Sequence, residues 1–174
     1  MLVYLKFIGI TNAAVWLGAS LFFICRVEPA FASPEIAAIL PPSHAGATAQ
    51  ILLERYFSLH CWCGGLALVH LLGEWLYSGR PLRRWALYLV LGLFGWGLVG
   101  SFWLQPKLQK LHLEIYGVRS TPPQRQQASK SFKIWHALNR GTNLAALLGI
   151  WVFLLQSAAA GSTPRFLGSG KFRG

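Results

Sequence analysis

Charged residues are scarce in this chain of 174 residues. They account for 12% of it, whereas a soluble globular domain usually contains about 25%. Apolar side chains account for 54%, and they form long uninterrupted stretches rather than the spacing of an amphipathic helix or strand. The composition excludes an ordinary soluble domain and predicts a small multi-pass membrane protein.

Cysteines and catalytic motifs are also scarce. Cys25, Cys61 and Cys63 are odd in number and lie within or at the end of apolar segments, which argues against a disulfide framework. The chain shows no nucleophile with its base, no metal-ligand motif and no phosphate-binding loop. An enzyme is therefore the least favoured class of function.

Acidic residues are few compared with basic ones. The chain has 16 Lys and Arg against 5 Asp and Glu, a formal charge of +11. In a soluble protein this excess would indicate nucleic acid as a partner. Here most basic residues flank the apolar stretches, where they meet anionic lipid headgroups. We therefore expect the lipid bilayer as a partner, and no nucleic acid.

Four apolar stretches reach the length of about 20 residues that a helix needs to cross a bilayer. They cover residues 4–25, 56–77, 85–104 and 134–156. We predict a membrane domain over residues 1–157 and a mobile basic tail over 158–174.

The connections between the spans have distinct compositions. A short surface helix is expected around Pro34 to Leu40, and a tight turn over residues 78–81. The third helix is expected to continue outside the membrane over residues 107–116, until Pro122 and Pro123 break it.

An internal repeat relates the second span to the fourth at an offset of 76 residues. Between residues 60–75 and 136–151, seven of sixteen positions are identical, where chance in apolar sequence gives about two. The first and third spans match at offset 77 through Gly18, Leu21 and Pro29 against Gly95, Leu98 and Pro106. We therefore predict an all-α membrane protein of four transmembrane helices, arranged as two repeated helical hairpins that form a bundle.

The distribution of basic residues bears on orientation. Seven flank the spans on the side of the termini and eight on the other side. The short turn with Arg80, Arg83 and Arg84 favours termini in the cytoplasm, because close flanking charges weigh most. We expect an integral protein of a plasma or inner membrane with both termini cytoplasmic.

Polar side chains form a stripe on each of two spans. On the second span, His60, Cys63, His70 and Glu74 share one helical face; on the fourth, His136, Asn139, Arg140 and Asn143 do. Ionisable groups near the centre of a span cost at least about 2.5 kcal/mol, so they should turn inward to partners or water. Glu74 would lie about 15 Å from Arg140 along the axis, too far for a direct pair.

His60 and His136 occupy equivalent places in the two repeats. Two imidazoles related by a near-twofold axis could ligate haem b or a copper ion. Alternatively, each histidine donates to a neighbouring carbonyl or lies at the membrane interface. Both interpretations stay open at the level of sequence.

Small residues on three spans predict close helix packing. They lie four residues apart on their helices, and whether they act within the chain or between subunits is open. These residues are Ala14, Gly18, Gly97, Ser101, Gly141, Ala145 and Gly149.

The chain also resembles a known family. Trp16-Leu17-Gly18 followed by Pro29 and Phe31, and Phe132 and His136 followed by Asn143-Leu144, resemble the transmembrane protein 205-like family. Where that family has a Gly and a Ser after the His, this chain has Ala137 and Asn139. The resemblance implies a four-helix integral membrane domain of unknown function and supplies no reaction.

Three roles are compatible with these features. The first is a non-catalytic accessory subunit that packs against another membrane protein or a second copy, since the small residues need only packing. The second is a haem- or copper-binding redox or metal-handling protein that uses His60 and His136. The third is permeation of an ion or small solute along the polar stripes.

Overall fold

The computed structural model describes residues 2–78 and 84–159, and its regular elements are helices. Two π-helical turns, Phe23–Val27 and Gly100–Leu104, each continue one helix into the next. The helices are α1 (Leu2–Phe22), α2 (Glu28–Ala30), α3 (Pro34–Ile39), α4 (Pro42–Ser78), α5 (Arg84–Val99), α6 (Gln105–Tyr116) and α7 (Pro122–Ala159). Residues 79–83 and 160–174, which include most of the predicted tight turn and tail, lie outside the described residues.

Four long helices are long and apolar enough to cross a membrane, which confirms the predicted number of spans. In chain order they are Tyr4–Ala30, Pro42–Tyr77, Arg84–Tyr116 and Pro122–Ala159. We call them the first to fourth long helices. Several of these helices are longer than the hydrocarbon core of a bilayer is thick. The 37 residues of α4 measure about 56 Å along the helix axis, whereas the hydrocarbon core is about 30 Å thick.

The additional helical turns of the second, third and fourth long helices pack together. The predicted continuation of the third helix is confirmed by α6, which buries Leu108 and Leu111. His112 Nε2 lies 3.1 Å from the carbonyl oxygen of Ser43, near the start of α4. Pro122 and Pro123 begin α7 rather than only ending α6, because a proline in the first turn of a helix loses no intrahelical hydrogen bond.

The predicted surface helix is α3. The Ser33 hydroxyl accepts a hydrogen bond from the Ile36 N–H at 3.4 Å and caps its start. Two hydrogen bonds to the Glu35 carboxyl hold its pKa below the usual range. The bond from the Ser33 side chain has the larger effect, and the bond from the Glu35 backbone has the smaller one. The helix ends at Ile39, Pro41 follows it, and Pro42 is the first residue of α4.

The four long helices form a ring in chain order. The first packs against the second and the fourth, and the third packs against the same two. One buried cluster fills the ring around Trp16, Ala67, Val90, Ile150 and Phe153. A second, centred on Phe57, lies beside the π-helical turns.

Both π-helical turns precede a proline. Pro29 and Pro106 each lie six residues after the start of a turn. A proline inside a helix clashes with the carbonyl four residues earlier, here at Cys25 and Phe102. Both carbonyls belong to the widened turns, so the turns accommodate the prolines without ending the helices.

Candidate functional site

His60 lies inside the bundle, where three long helices meet, and its side chain is fully buried. The Trp16 indole Nε1–H donates to His60 Nδ1 at 3.0 Å. Because an indole can only donate, Nδ1 is the acceptor and the ring proton is on Nε2. Nε2–H donates to the Leu93 carbonyl oxygen at 3.0 Å. Protein groups therefore engage both ring nitrogens of His60.

A glycine makes room for this imidazole. A Cβ on Gly97 would lie 2.8 Å from His60 Cδ2 and 3.1 Å from Cys61 Sγ. The Trp16 ring packs edge-on against His60, with 4.8 Å between the ring centroids. His60 is thus held by two hydrogen bonds and a close backbone surface.

A second buried network joins the third and fourth long helices. The Trp96 indole Nε1–H donates to Asn143 Oδ1 at 3.2 Å. Asn143 Nδ2 in turn donates to Asn139 Oδ1 at 3.2 Å. On the opposite side of the ring of four long helices, Asn12 Nδ2 donates to the Cys63 carbonyl oxygen at 2.9 Å. Buried polar groups that are hydrogen-bonded in this way connect helices.

His136 and Arg140 share a partner that the sequence did not identify. Glu28 Oε1 lies 3.3 Å from His136 Nε2 and 3.1 Å from Arg140 Nε. The side chains of Glu28, His136 and Arg140 are 14%, 40% and 62% exposed. They form an ion-pair cluster between the end of the first long helix and α7, and the His136 contact is ionic only when the ring is protonated.

Two side chains with hydroxyl groups, Ser20 of the first long helix and Tyr56 of the second, are buried. Neither hydroxyl has a hydrogen-bond partner among the described residues. The sequence feature that could have identified Glu28 as a site residue is its position directly before Pro29, just beyond the first predicted span.

His70 and Glu74 have different environments. His70 is buried against Gly9 of the first long helix, and neither ring nitrogen has a hydrogen-bond partner among the described residues. Glu74 is exposed, one helical turn further along α4. Of the two predicted polar stripes, the structure places Cys63, His70, Asn139 and Asn143 inside the bundle and Glu74 and Arg140 on its surface.

The predicted packing residues divide into two groups. Gly97 packs against His60, Gly149 lies close to Leu93, and Ser101 Oγ lies 3.8 Å from Cys61 Sγ. Gly97 and Gly149 therefore act within the chain, whereas Ser101 contacts Cys61 and also lines a groove on the outer surface. Four others are on the outer surface, and a Cβ on either glycine among them would meet no atom within 4 Å. The four are Ala14, Gly18, Gly141 and Ala145.

The two histidines proposed as ligands have different surroundings. His60 uses both nitrogens on Trp16 and Leu93, and His136 faces Glu28. Within residues 2–78 and 84–159, no group of three or more His, Cys, Asp or Glu side chains is placed to hold a metal ion. Haem or copper ligation by His60 and His136 stays a prediction, and at His60 it would require breaking an existing hydrogen bond.

A groove of about 640 Å³ opens on the outer face between α4 and α5 with its π-helical turn. Small residues contribute to its lining, namely Cys61, Gly65 and Ser101. Trp62 and Phe102 also line it, at 73% and 79% exposure. Glu54 and Ser58 add polar groups.

The comparison with known families concerns the first three long helices. A family model described as a domain of unknown function, DUF4149, matches residues 12–117. The chain belongs to the DUF4149 family. Within this DUF4149 protein the matched part contains Glu28, His60 and the groove, and it ends before α7.

Neither a curated protein nor a solved structure matches the chain. Membership of DUF4149 therefore brings no reaction, ligand or partner with it. The more specific resemblance to the transmembrane protein 205-like family stays a prediction.

Proposed function

We propose that this DUF4149 protein is a non-catalytic accessory subunit, which binds a transmembrane helix of another membrane protein in the groove between α4 and α5. The groove itself carries the proposal. Its small residues Cys61, Gly65 and Ser101 would allow a second backbone to approach closely, which is how helices associate in lipid. Trp62 and Phe102 provide apolar surface for that contact.

The polar groups in the groove favour a protein helix over a lipid chain. Glu54 is exposed and has no salt bridge among the described residues. It lies two residues before Tyr56, the first residue of the predicted second span. A partner helix with a Lys or Arg at its interfacial end would neutralise Glu54, and Ser58 could accept a hydrogen bond from it.

The interior of the bundle supports a binding role over permeation. Trp16, Phe57 and Phe153 are almost completely buried. The polar side chains His60, Asn139 and Asn143 bond to tryptophans, to each other or to the backbone. A permeation pathway needs polar groups that face water, whereas these groups connect helices.

We also propose that the fold consists of two repeated hairpins. The two π-helical turns begin at Phe23 and Gly100, 77 residues apart, which is the offset that relates the first and third spans in sequence. The ring order of the helices places each span diagonally from its counterpart. Both features support a pseudo-twofold axis along the membrane normal.

The proposed function is tested by photocrosslinking in native membranes. A photoreactive phenylalanine analogue replaces Phe102 in the full chain, and adducts are identified by mass. We expect an adduct with one other membrane protein. Its yield should fall by about tenfold or more in Gly65→Leu, which fills the groove and costs more than about 1.4 kcal/mol of binding.

Gly18→Leu is the matched control, because Gly18 is also a helical glycine on the outer surface. The yield should not change in this variant. Equal yields in Gly65→Leu and Gly18→Leu, or adducts with lipid alone, would contradict the proposal. A crosslink between two copies of the chain would assign the groove to self-association instead.

A further inference from the structure

Arg140 uses only part of its guanidinium group within the protein. Its Nε contacts Glu28 Oε1 at 3.1 Å. The two terminal nitrogens have no partner among the described residues, and the side chain is 62% exposed. A charged group on the outer surface of a membrane helix needs water or a phosphate, because lipid chains offer it no acceptor.

The depth of Arg140 places its terminal nitrogens near the lipid headgroups. Trp135 packs edge-on against Trp103, with 5.1 Å between the ring centroids, and tryptophan rings are enriched at the membrane–water interface. Arg140 follows Trp135 by five residues, roughly 7.5 Å along the helix. Its side chain leans toward the helix start, so the guanidinium returns to headgroup level.

The charges around Arg140 favour an anion. Lys133 and His136 precede it by seven and four residues on the same face of α7, and Lys133 is exposed. Glu28 is the one acidic group that contacts this surface among the described residues, and its Oε1 is engaged by His136 and Arg140.

Glu28 orients Arg140 for an external ligand. A guanidinium has five N–H donors in a fixed plane. The Arg140–Glu28 contact is an ion pair through Nε without an aligned hydrogen bond, so Glu28 holds the guanidinium by charge and leaves its N–H donors for another acceptor. Two such donors match two oxygens of a phosphate group.

We propose that Arg140, oriented by Glu28, binds the phosphate of an anionic phospholipid. Inorganic phosphate has the same chemistry, but apolar residues flank Arg140 one turn away on each side, since Ala137 and Leu144 are exposed on α7. Those side chains would contact the acyl chains of the lipid. The site is independent of the proposed partner groove, which lies between α4 and α5.

The test uses the full chain purified in a neutral detergent. Native mass spectrometry measures the lipid that stays bound after equilibration with mixed micelles of phosphatidylglycerol and phosphatidylcholine. We expect wild type to retain phosphatidylglycerol preferentially. Arg140→Gln should reduce that preference about tenfold, a loss typical of one charge-assisted bidentate contact.

Lys130→Gln is the matched control, since Lys130 is an exposed basic residue on the same helix and its loss removes the same charge. It should leave the preference unchanged. Arg140→Lys retains the charge but loses the planar edge, so it should also reduce the preference, even if Arg140→Gln folds poorly.

Three results would overturn the proposal. The first is equal retention of phosphatidylcholine and phosphatidylglycerol by wild type. The second is an equal loss in Arg140→Gln and Lys130→Gln, which would indicate general charge attraction. The third is displacement of bound phosphatidylglycerol by 10 mM inorganic phosphate, which would indicate a site for the free anion.

Discussion

Replacing Gly97 by Ala tests how tightly His60 is held against α5. The added Cβ would lie 2.8 Å from His60 Cδ2, whereas carbon atoms in contact usually stay about 3.5–4.0 Å apart. The imidazole would have to move by roughly 0.7 Å or more to restore that distance. It cannot move freely, because hydrogen bonds of 3.0 Å hold its two nitrogens to Trp16 and Leu93.

The expected cost follows from these contacts. Overpacking of a tight site costs about 1–3 kcal/mol. If the ring moves, His60 Nδ1 loses the Trp16 donor, and a buried acceptor without a partner costs about 1–3 kcal/mol. Alanine in place of a glycine inside a helix stabilises the folded state by about 0.5–1 kcal/mol, which offsets part of this cost. We therefore expect Gly97→Ala to lower the free energy of unfolding by about 2–4 kcal/mol.

Thermal unfolding in detergent measures the effect, with Gly95→Ala as the control on the same helix. A Cβ on Gly95 would meet no atom of the described residues within 4 Å. A loss of about 2–4 kcal/mol should lower the Tm of Gly97→Ala by about 5–15 °C for a chain of this size. Gly95→Ala should unfold at or slightly above the wild-type temperature.

Two results would refute this reasoning. One is a Tm for Gly97→Ala within about 2 °C of that of Gly95→Ala. The other concerns the His60→Ala background, where the obstructing ring is gone and Gly97→Ala should cost little. An undiminished loss there would mean that His60 is not the cause.

Three further predictions concern the buried network, the ion-pair cluster and the orientation. Trp96→Phe removes the donor to Asn143 Oδ1 and should lower the free energy of unfolding by about 1–3 kcal/mol. Trp62→Phe is the control, because Trp62 is exposed. Equal losses of stability in the two variants would contradict the role of the hydrogen bond. Glu28→Gln should lower the free energy of unfolding by only about 0.5–1 kcal/mol, because the pair with Arg140 is partly exposed. A double-mutant cycle with Arg140→Gln should show a coupling energy of this size. Additive losses in the two single variants would rule the coupling out. Fusions to the C-terminus should give fluorescence with green fluorescent protein and no activity with alkaline phosphatase if that terminus is cytoplasmic; the reverse pattern would invert the predicted orientation.

Much of the helical architecture follows from local features of the sequence. Apolar length predicted four helices able to cross a membrane, and the part of the chain that the structure describes has four. Proline positions predicted the surface helix at Pro34 and the end of the third long helix before Pro122. Each of these features depends on residues close in the chain, so no knowledge of packing is required.

The candidate site was predicted only in part. His60 and His136 occupy matching positions at offset 76, yet one is enclosed by Trp16 and Leu93 and the other is partly exposed beside Glu28. Sequence similarity within a repeat cannot distinguish them, because the neighbours that surround each ring come from other helices. The same limit applies to Arg140, whose partner is more than 100 residues away in the chain.

The sequence by itself determined that this protein is helical, that four of its helices can span a membrane, and where its basic and aromatic residues flank them. Those properties depend on composition and on spacing along one helix. Tertiary structure alone decided that Glu28 meets His136 and Arg140. The physical reason is rotation: the π-helical turn before Glu28 holds an additional residue, and one residue turns a helix by about 100°. The face that α2 presents to α7 therefore depends on how both helices pack.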